Sequence, residues 1–113
     1  MLTKLFPFLD PAHREPIRRF PCELPIAGEP ADVYAMVTAY HDWLLETAVP
    51  KLMFWARPGA LIPVERAAWY AKRLRNLQAV EIGEGRHYVQ EDNPDAIGMG
   101  IADWLAGLSR QAS

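Results

Sequence analysis

The sequence predicts an α/β fold in which two parallel strands are joined by a crossover helix and flanked by further helices. Three observations carry this. Lys51-Leu52-Met53-Phe54-Trp55-Ala56 is almost continuously apolar and too short for a typical helix, so it reads as a strand buried on both faces of a parallel sheet. Residues 77–82 form a second β-rich run that ends in Gly83 and Gly85. Between the two runs, residues 64–75 have helical spacing, and two parallel strands need such a crossover.

Taken in order, the chain begins with unevenly spread prolines: Pro7, Pro11, Pro16, Pro21, Pro25 and Pro30. Each fixes φ and removes a backbone donor, so this segment should be mostly loop and short helical turns. Over 31–47, Val33, Met36, Val37, Tyr40, Trp43 and Leu44 recur on one face of a helix that Pro30 opens and Pro50 ends. Arg57-Pro58-Gly59-Ala60 is the loop after the first strand. The helix over 64–75 carries Glu65 in its first turn and Lys72, Arg73 and Arg75 in its last, matching its dipole. Val64, Ala67, Ala68, Ala71 and Leu74 are expected to face inward, with Asn76 as terminator. A final helix runs from Asn93 or Pro94 to about 108, with Ile97, Ile101, Trp104, Leu105 and Leu108 inward. Two strands alone leave open edges, so the chain reads as part of a larger sheet. Four Trp, four Phe and four Met are also too large an apolar load for so few elements to bury.

Composition narrows the function classes. At 113 residues, 50% hydrophobic and 23% charged, the chain has an ordinary globular make-up for one domain. Its net charge of -2, and the lack of any Lys/Arg run longer than two residues, argue against nucleic-acid or anionic-lipid partners. Cys22 has no second cysteine to bridge or to share a metal with, so a reducing cytoplasmic setting is expected, with no metal or cofactor. Residues 1–9 are apolar but broken by Pro7 and followed by Asp10-Pro11, which does not read as a signal peptide. No window is long and apolar enough to suggest a membrane helix.

The chemistry centres on His87, on the loop where the second strand hands over to a helix. Open α/β sheets place active sites at that end. His87 has two readings, a loop histidine held by a backbone bond or a general base, and the neighbouring glycines, which admit a sharp turn, favour the second. His13 and His41 have no such setting. A base needs a nucleophile, and no Gly-x-Ser-x-Gly turn is present. Asp42-Trp43 and Asp103-Trp104 lie within amphipathic helices, with Asp on the polar side and Trp toward the core, and read as structural. Glu91 and Asp92 suit the N-terminus of the last helix better than a partnership with His87.

Four stretches together resemble the C-terminal part of haloalkane dehalogenases, enzymes of the α/β-hydrolase fold. They are Phe20-Pro21-Cys22-Glu23-Leu24-Pro25-Ile26-Ala27-Gly28-Glu29-Pro30, Pro50-Lys51-Leu52-Met53-Phe54-Trp55, Pro58-Gly59-Ala60-Leu61-Ile62-Pro63 and His87-Tyr88-Val89-Gln90-Glu91-Asp92-Asn93-Pro94-Asp95. The resemblance implies that residues 1–30 are the end of a helical cap and 31–113 the last part of the main domain. It implies His87 as the catalytic base, and Phe20, Pro21, Leu24, Ala60 and Leu61 as lining of the active site or its tunnel. In the family an Asp carboxylate displaces halide and the histidine activates water to hydrolyse the resulting ester. That Asp and the halide donors belong to the part the sequence does not match, which makes Met1 look like an internal methionine promoted to a start.

The resulting expectation is a C-terminal fragment of a haloalkane dehalogenase, inactive alone and acting on haloalkanes only with the missing part supplied. A complementary fragment or a second copy is the expected partner. The rivals are a non-catalytic binding or assembly module and a fragment of an epoxide or ester hydrolase.

Overall fold

The structure, a computed structural model, describes residues 9–112. Of the apolar stretch 1–9, only Leu9 lies within the described residues. The chain divides into two compact units between Trp43 and Leu44.

In the first unit, Asp10 caps a 3₁₀ turn, Pro11–Arg14, accepting from the Ala12 N–H at 2.9 Å. Helix α1, Glu15–Cys22, follows directly. It is more helix than the proline content predicted, because Pro16 falls in the first turn, where its missing N–H costs nothing, and Pro21 falls next to the last residue. Ile26 and Glu29 exchange both backbone hydrogen bonds across a tight turn whose central residues, Ala27 and Gly28, have positive φ. Helix α2 then runs Ala31–Glu46. Its expected inward stripe is only partly sheltered. Val33 and Leu44 are half-buried, but Met36, Val37, Tyr40 and Trp43 are exposed, because no described residue covers that face. Trp43, expected toward the core, is 52% exposed.

The second unit is the βαβ crossover. Strand β1, Lys51–Pro58, pairs in parallel with β2, Leu77–Gly85, and helix α3, Val64–Arg73, connects them. Both strands outlast the apolar runs that predicted them, because the ladder continues through Arg57–Glu84 and Pro58–Gly85 pairs. Strand β1 is not buried on both faces: 51–55 are half-buried and only Ala56 of the strand is buried, since among the described residues the sheet has just two strands and little to cover it. Among the described residues, Ala56, Ala67 and Ile82 are the buried apolar side chains.

Helix α3 stops two residues earlier than predicted. Leu74 turns extended while its N–H still reaches the Tyr70 carbonyl, so Asn76, with φ 52°, shapes the approach to β2 and does not terminate the helix. Its sheltered face is Val64, Ala67, Tyr70 and Leu74, a narrow stripe that leaves Ala68 and Ala71 exposed on its flank. A short helix α4, Val89–Asp92, precedes α5, Pro94–Gln111. On α5 the sheltered line is Ile97, Gly100, Trp104 and Leu108, and Ile101 and Leu105 are exposed. Gly100 sets this rotation, because Phe54 of β1 fills the space where its Cβ would be, 2.6 Å from the ring. Among the described residues, no helix is long and apolar enough to cross a membrane.

Candidate functional site

The end of the sheet where β1 and β2 finish is built by an irregularity in pairing. Between the pairs Trp55–Glu81 and Arg57–Glu84, β2 carries one residue more than β1. Such a bulge leaves one residue unpaired and re-aims the strand beyond it. Gly83, at φ 92°, supplies the left-handed conformation that it needs. Beyond it Gly85 comes against Ala56: a Cβ there would stand 3.2 Å from the Ala56 Cβ and 2.9 Å from Val89 Cγ1.

Two backbone bonds then tie the loops together, Gly59 N–H to Gly85 O at 3.1 Å and Ala60 N–H to Arg86 O at 3.0 Å. They hold the loop after β1 beside the loop that carries His87. His87 itself is exposed, its ring stacked on Tyr88 at 4.6 Å between centroids. Among the described residues no group hydrogen-bonds its imidazole, so both ring nitrogens are available to a substrate, a water or an orienting acid.

His87 and Leu61 share a cleft of about 200 Å³, walled by Phe54, Trp55, Ile62 and Val89 among others. Its walls are mostly apolar, and His87 with Arg86 brings the polar groups to its mouth. Ala60 contributes its backbone to the loop junction and not to this wall. Leu61 is 72% exposed, so the cleft is open on that side. Phe20, Pro21 and Leu24 belong to the first unit, at the end of α1 and just beyond, and all three are exposed, Phe20 by 70%.

Carboxylates do not complete the site within the described residues. Glu91 and Asp92 sit on α4, immediately before the start of α5, and are exposed, and neither bonds His87. Glu81 is engaged by Arg57 at 2.9 Å, and that guanidinium also lies over Trp55. Asp42 and Asp103 lie within α2 and α5, as the sequence indicated. Sequence reasoning missed Asn93, whose side-chain amide donates to the Glu84 carbonyl at 2.8 Å. An Asn before Pro at a helix start reads as an N-cap, and only the extra Gly83-Gly85 pattern upstream hinted at another partner.

No protein-family model matches the chain. The haloalkane dehalogenase of Bradyrhizobium diazoefficiens is 47% identical over 102 residues, which make up 90% of this chain and 33% of that protein. That of Mesorhizobium japonicum is 46% identical over 99 residues, 88% of this chain and 32% of that protein. Among solved structures, haloalkane dehalogenase DbeA from Bradyrhizobium elkani aligns with a TM-score of 0.89 at 46% identity, over 96% of this chain and 37% of that one. DatA from Agrobacterium tumefaciens, also a haloalkane dehalogenase, aligns at 0.76 with 34% identity, over 90% and 35%. The chain thus spans about a third of the length of the curated relatives it matches. Its two parallel strands and flanking helices form the corresponding part of an α/β-hydrolase fold.

Proposed function

From the match to the C-terminal part of haloalkane dehalogenases, we propose that this chain contributes the catalytic base to hydrolytic dehalogenation and is inactive alone. The observation that carries the proposal is an unpartnered imidazole, His87, at the mouth of an apolar cleft at the carboxyl end of a parallel sheet. In the reaction, a carboxylate from outside this chain attacks the carbon of a carbon–halogen bond, halide leaves, and an alkyl ester forms. His87 then takes a proton from water as the water oxygen adds to the ester carbonyl. The alcohol departs, the carboxylate is regenerated, and the proton returns to solvent.

By the same match, Ala60 and Leu61 are proposed as substrate-path residues of the main-domain part, 31–113, and Phe20, Pro21 and Leu24 as those of the cap part, 1–30. The substrate is a small haloalkane, because the cleft offers apolar walls and few hydrogen-bonding groups. The setting is the reducing cytoplasm, which suits the exposed free thiol of Cys22.

The uncovered apolar surface supports assembly as part of the same function. Met36, Val37, Tyr40 and Trp43 on α2, and Met99, Ile101 and Leu105 on α5, are exposed, and β1 keeps a free edge. The partner is the preceding part of a dehalogenase-type chain, which would carry the nucleophile and further strands.

Halide release from a 1-haloalkane tests the proposal, using the purified chain alone and mixed with the N-terminal part of the Bradyrhizobium relative. Expected is silence alone, turnover on mixing, and loss of that turnover with His87→Ala. Turnover by the chain alone would overturn the proposal, because it would require a nucleophile within these residues. A saturable self-association with no turnover in either arm would favour a binding module.

A further inference from the structure

Asn93 occupies the position from which an asparagine ordinarily caps its own helix, yet its side chain makes no bond to α5. Its backbone is fully used: the N–H donates to Val89 O at 2.9 Å, ending α4, and the carbonyl accepts from Ile97 N–H at 3.2 Å, opening α5. The side-chain amide turns back instead and donates to the Glu84 carbonyl at 2.8 Å. That bond closes residues 84–93 into a loop with His87 inside it.

The amide lies over the bulge: Cβ atoms on Gly83 and Gly85 would stand in ordinary van der Waals contact with it, 3.8 Å from Asn93 Oδ1 and 3.5 Å from Asn93 Nδ2. The bulge decides the direction in which β2 leaves the sheet. The acceptor, Glu84 O, is three residues before His87, and the imidazole has no hydrogen bond of its own to hold it. We infer that Asn93 is a positioning residue for His87: its amide fixes the exit of β2, and through it the aim of the imidazole. The inference deepens the reading of His87 as a base, but its structural half stands without that reading.

Two variants of the full chain separate positioning from helix capping. Asn93→Ser carries a side chain that can cap α5 but is too short to reach Glu84. Asn93→Asp has nearly the same shape and replaces the donor with an acceptor facing a carbonyl. In both, amide exchange at Gly59 and Ala60, whose N–H groups are held by the Gly85 and Arg86 carbonyls, is expected to quicken at least tenfold and the His87 ring resonance to shift. In Asn93→Ser, far-UV circular dichroism and the urea midpoint should stay as in the parent chain. In the mixture that releases halide, both variants should lower kcat about tenfold with KM unchanged. Wild-type exchange and an unmoved His87 resonance would overturn the inference, as would loosening of equal size at Ala67 and Leu77. Unchanged kcat in an active mixture would overturn it too. A mixture silent even with the parent chain would count against the dehalogenase reading alone, leaving exchange and resonance to decide the role of Asn93.

Discussion

The two ends of the small sheet are held in opposite ways. At the end where the strands begin, side chains reach backbone carbonyls. The Lys51 ammonium donates to Thr47 O at 2.7 Å, Val49 O at 2.9 Å and Arg75 O at 2.7 Å. Arg75 donates to Glu46 O at 3.1 Å and Asn76 to Ala48 O at 3.0 Å, so the segment before β1 is stapled to the turn before β2. Where the strands end, the loops are joined by backbone bonds, glycine turns and the Asn93 amide, and the imidazole stays unbonded. Donors consumed in fixing backbone are unavailable for chemistry. The first end is therefore organised for stability, and the second keeps reactive groups free on a fixed frame.

The sharpest way to break this contrast is to exchange the expected phenotypes. His87→Ala should cost about 10²–10⁴-fold in halide release by the reconstituted mixture, the usual worth of a general base, while leaving the urea midpoint of the chain in place. A loss of stability on this substitution would show that the imidazole is structural. Gly59→Ala comes next in size. Gly59 has φ 67°, and a Cβ there would run into the Ile62 carbonyl, so backbone strain and steric overlap should cost about 3 kcal/mol in urea unfolding. Wild-type stability in this variant would mean that the loop after β1 is looser than its bonds to Gly85 and Arg86 imply.

How much of the fold and site was legible in the sequence divides along the same line. Periodicity located both strands, the crossover helix and the last helix, because alternation and helical spacing are local properties of the chain. It failed at the strand ends. Arg57-Pro58 and Gly83-Glu84-Gly85 read as loop, since proline and glycine ordinarily leave a ladder, whereas here a bulge carries the pairing on. The helical stripes were also over-read. Met36, Tyr40 and Trp43 on α2 have the spacing of a buried face, but spacing reports that a face needs cover and does not report what provides it. His87 was found from its place after a strand. Asn93 was not, because its partner is nine residues back and only the folded bulge brings them together.

At the stapled end the effects should be smaller and confined to stability. Lys51→Met keeps most of the side chain's bulk and removes the ammonium that serves three carbonyls. For a partly solvated charged donor, the expected loss is about 2 kcal/mol in urea unfolding, with the His87 ring resonance unmoved. A shifted His87 resonance would show that the two ends are coupled through β1, and the contrast between them would then be one of degree.

The finest test lies at Asn76, which does two things at once: it adopts φ 52° and it donates to Ala48 O. Asn76→Ala removes the bond and keeps a Cβ in the left-handed region, so it should cost about 1 kcal/mol. Asn76→Gly also removes the bond but relieves the backbone, so it should cost about half as much. If glycine is as harmful as alanine, the side-chain bond dominates, and this end is held by donors, as the Lys51 contacts suggest. If glycine is neutral, the turn needs only its backbone angle. In that case Asn76 resembles Gly59 more than Lys51, and the staple before β1 reduces to the ammonium and the guanidinium.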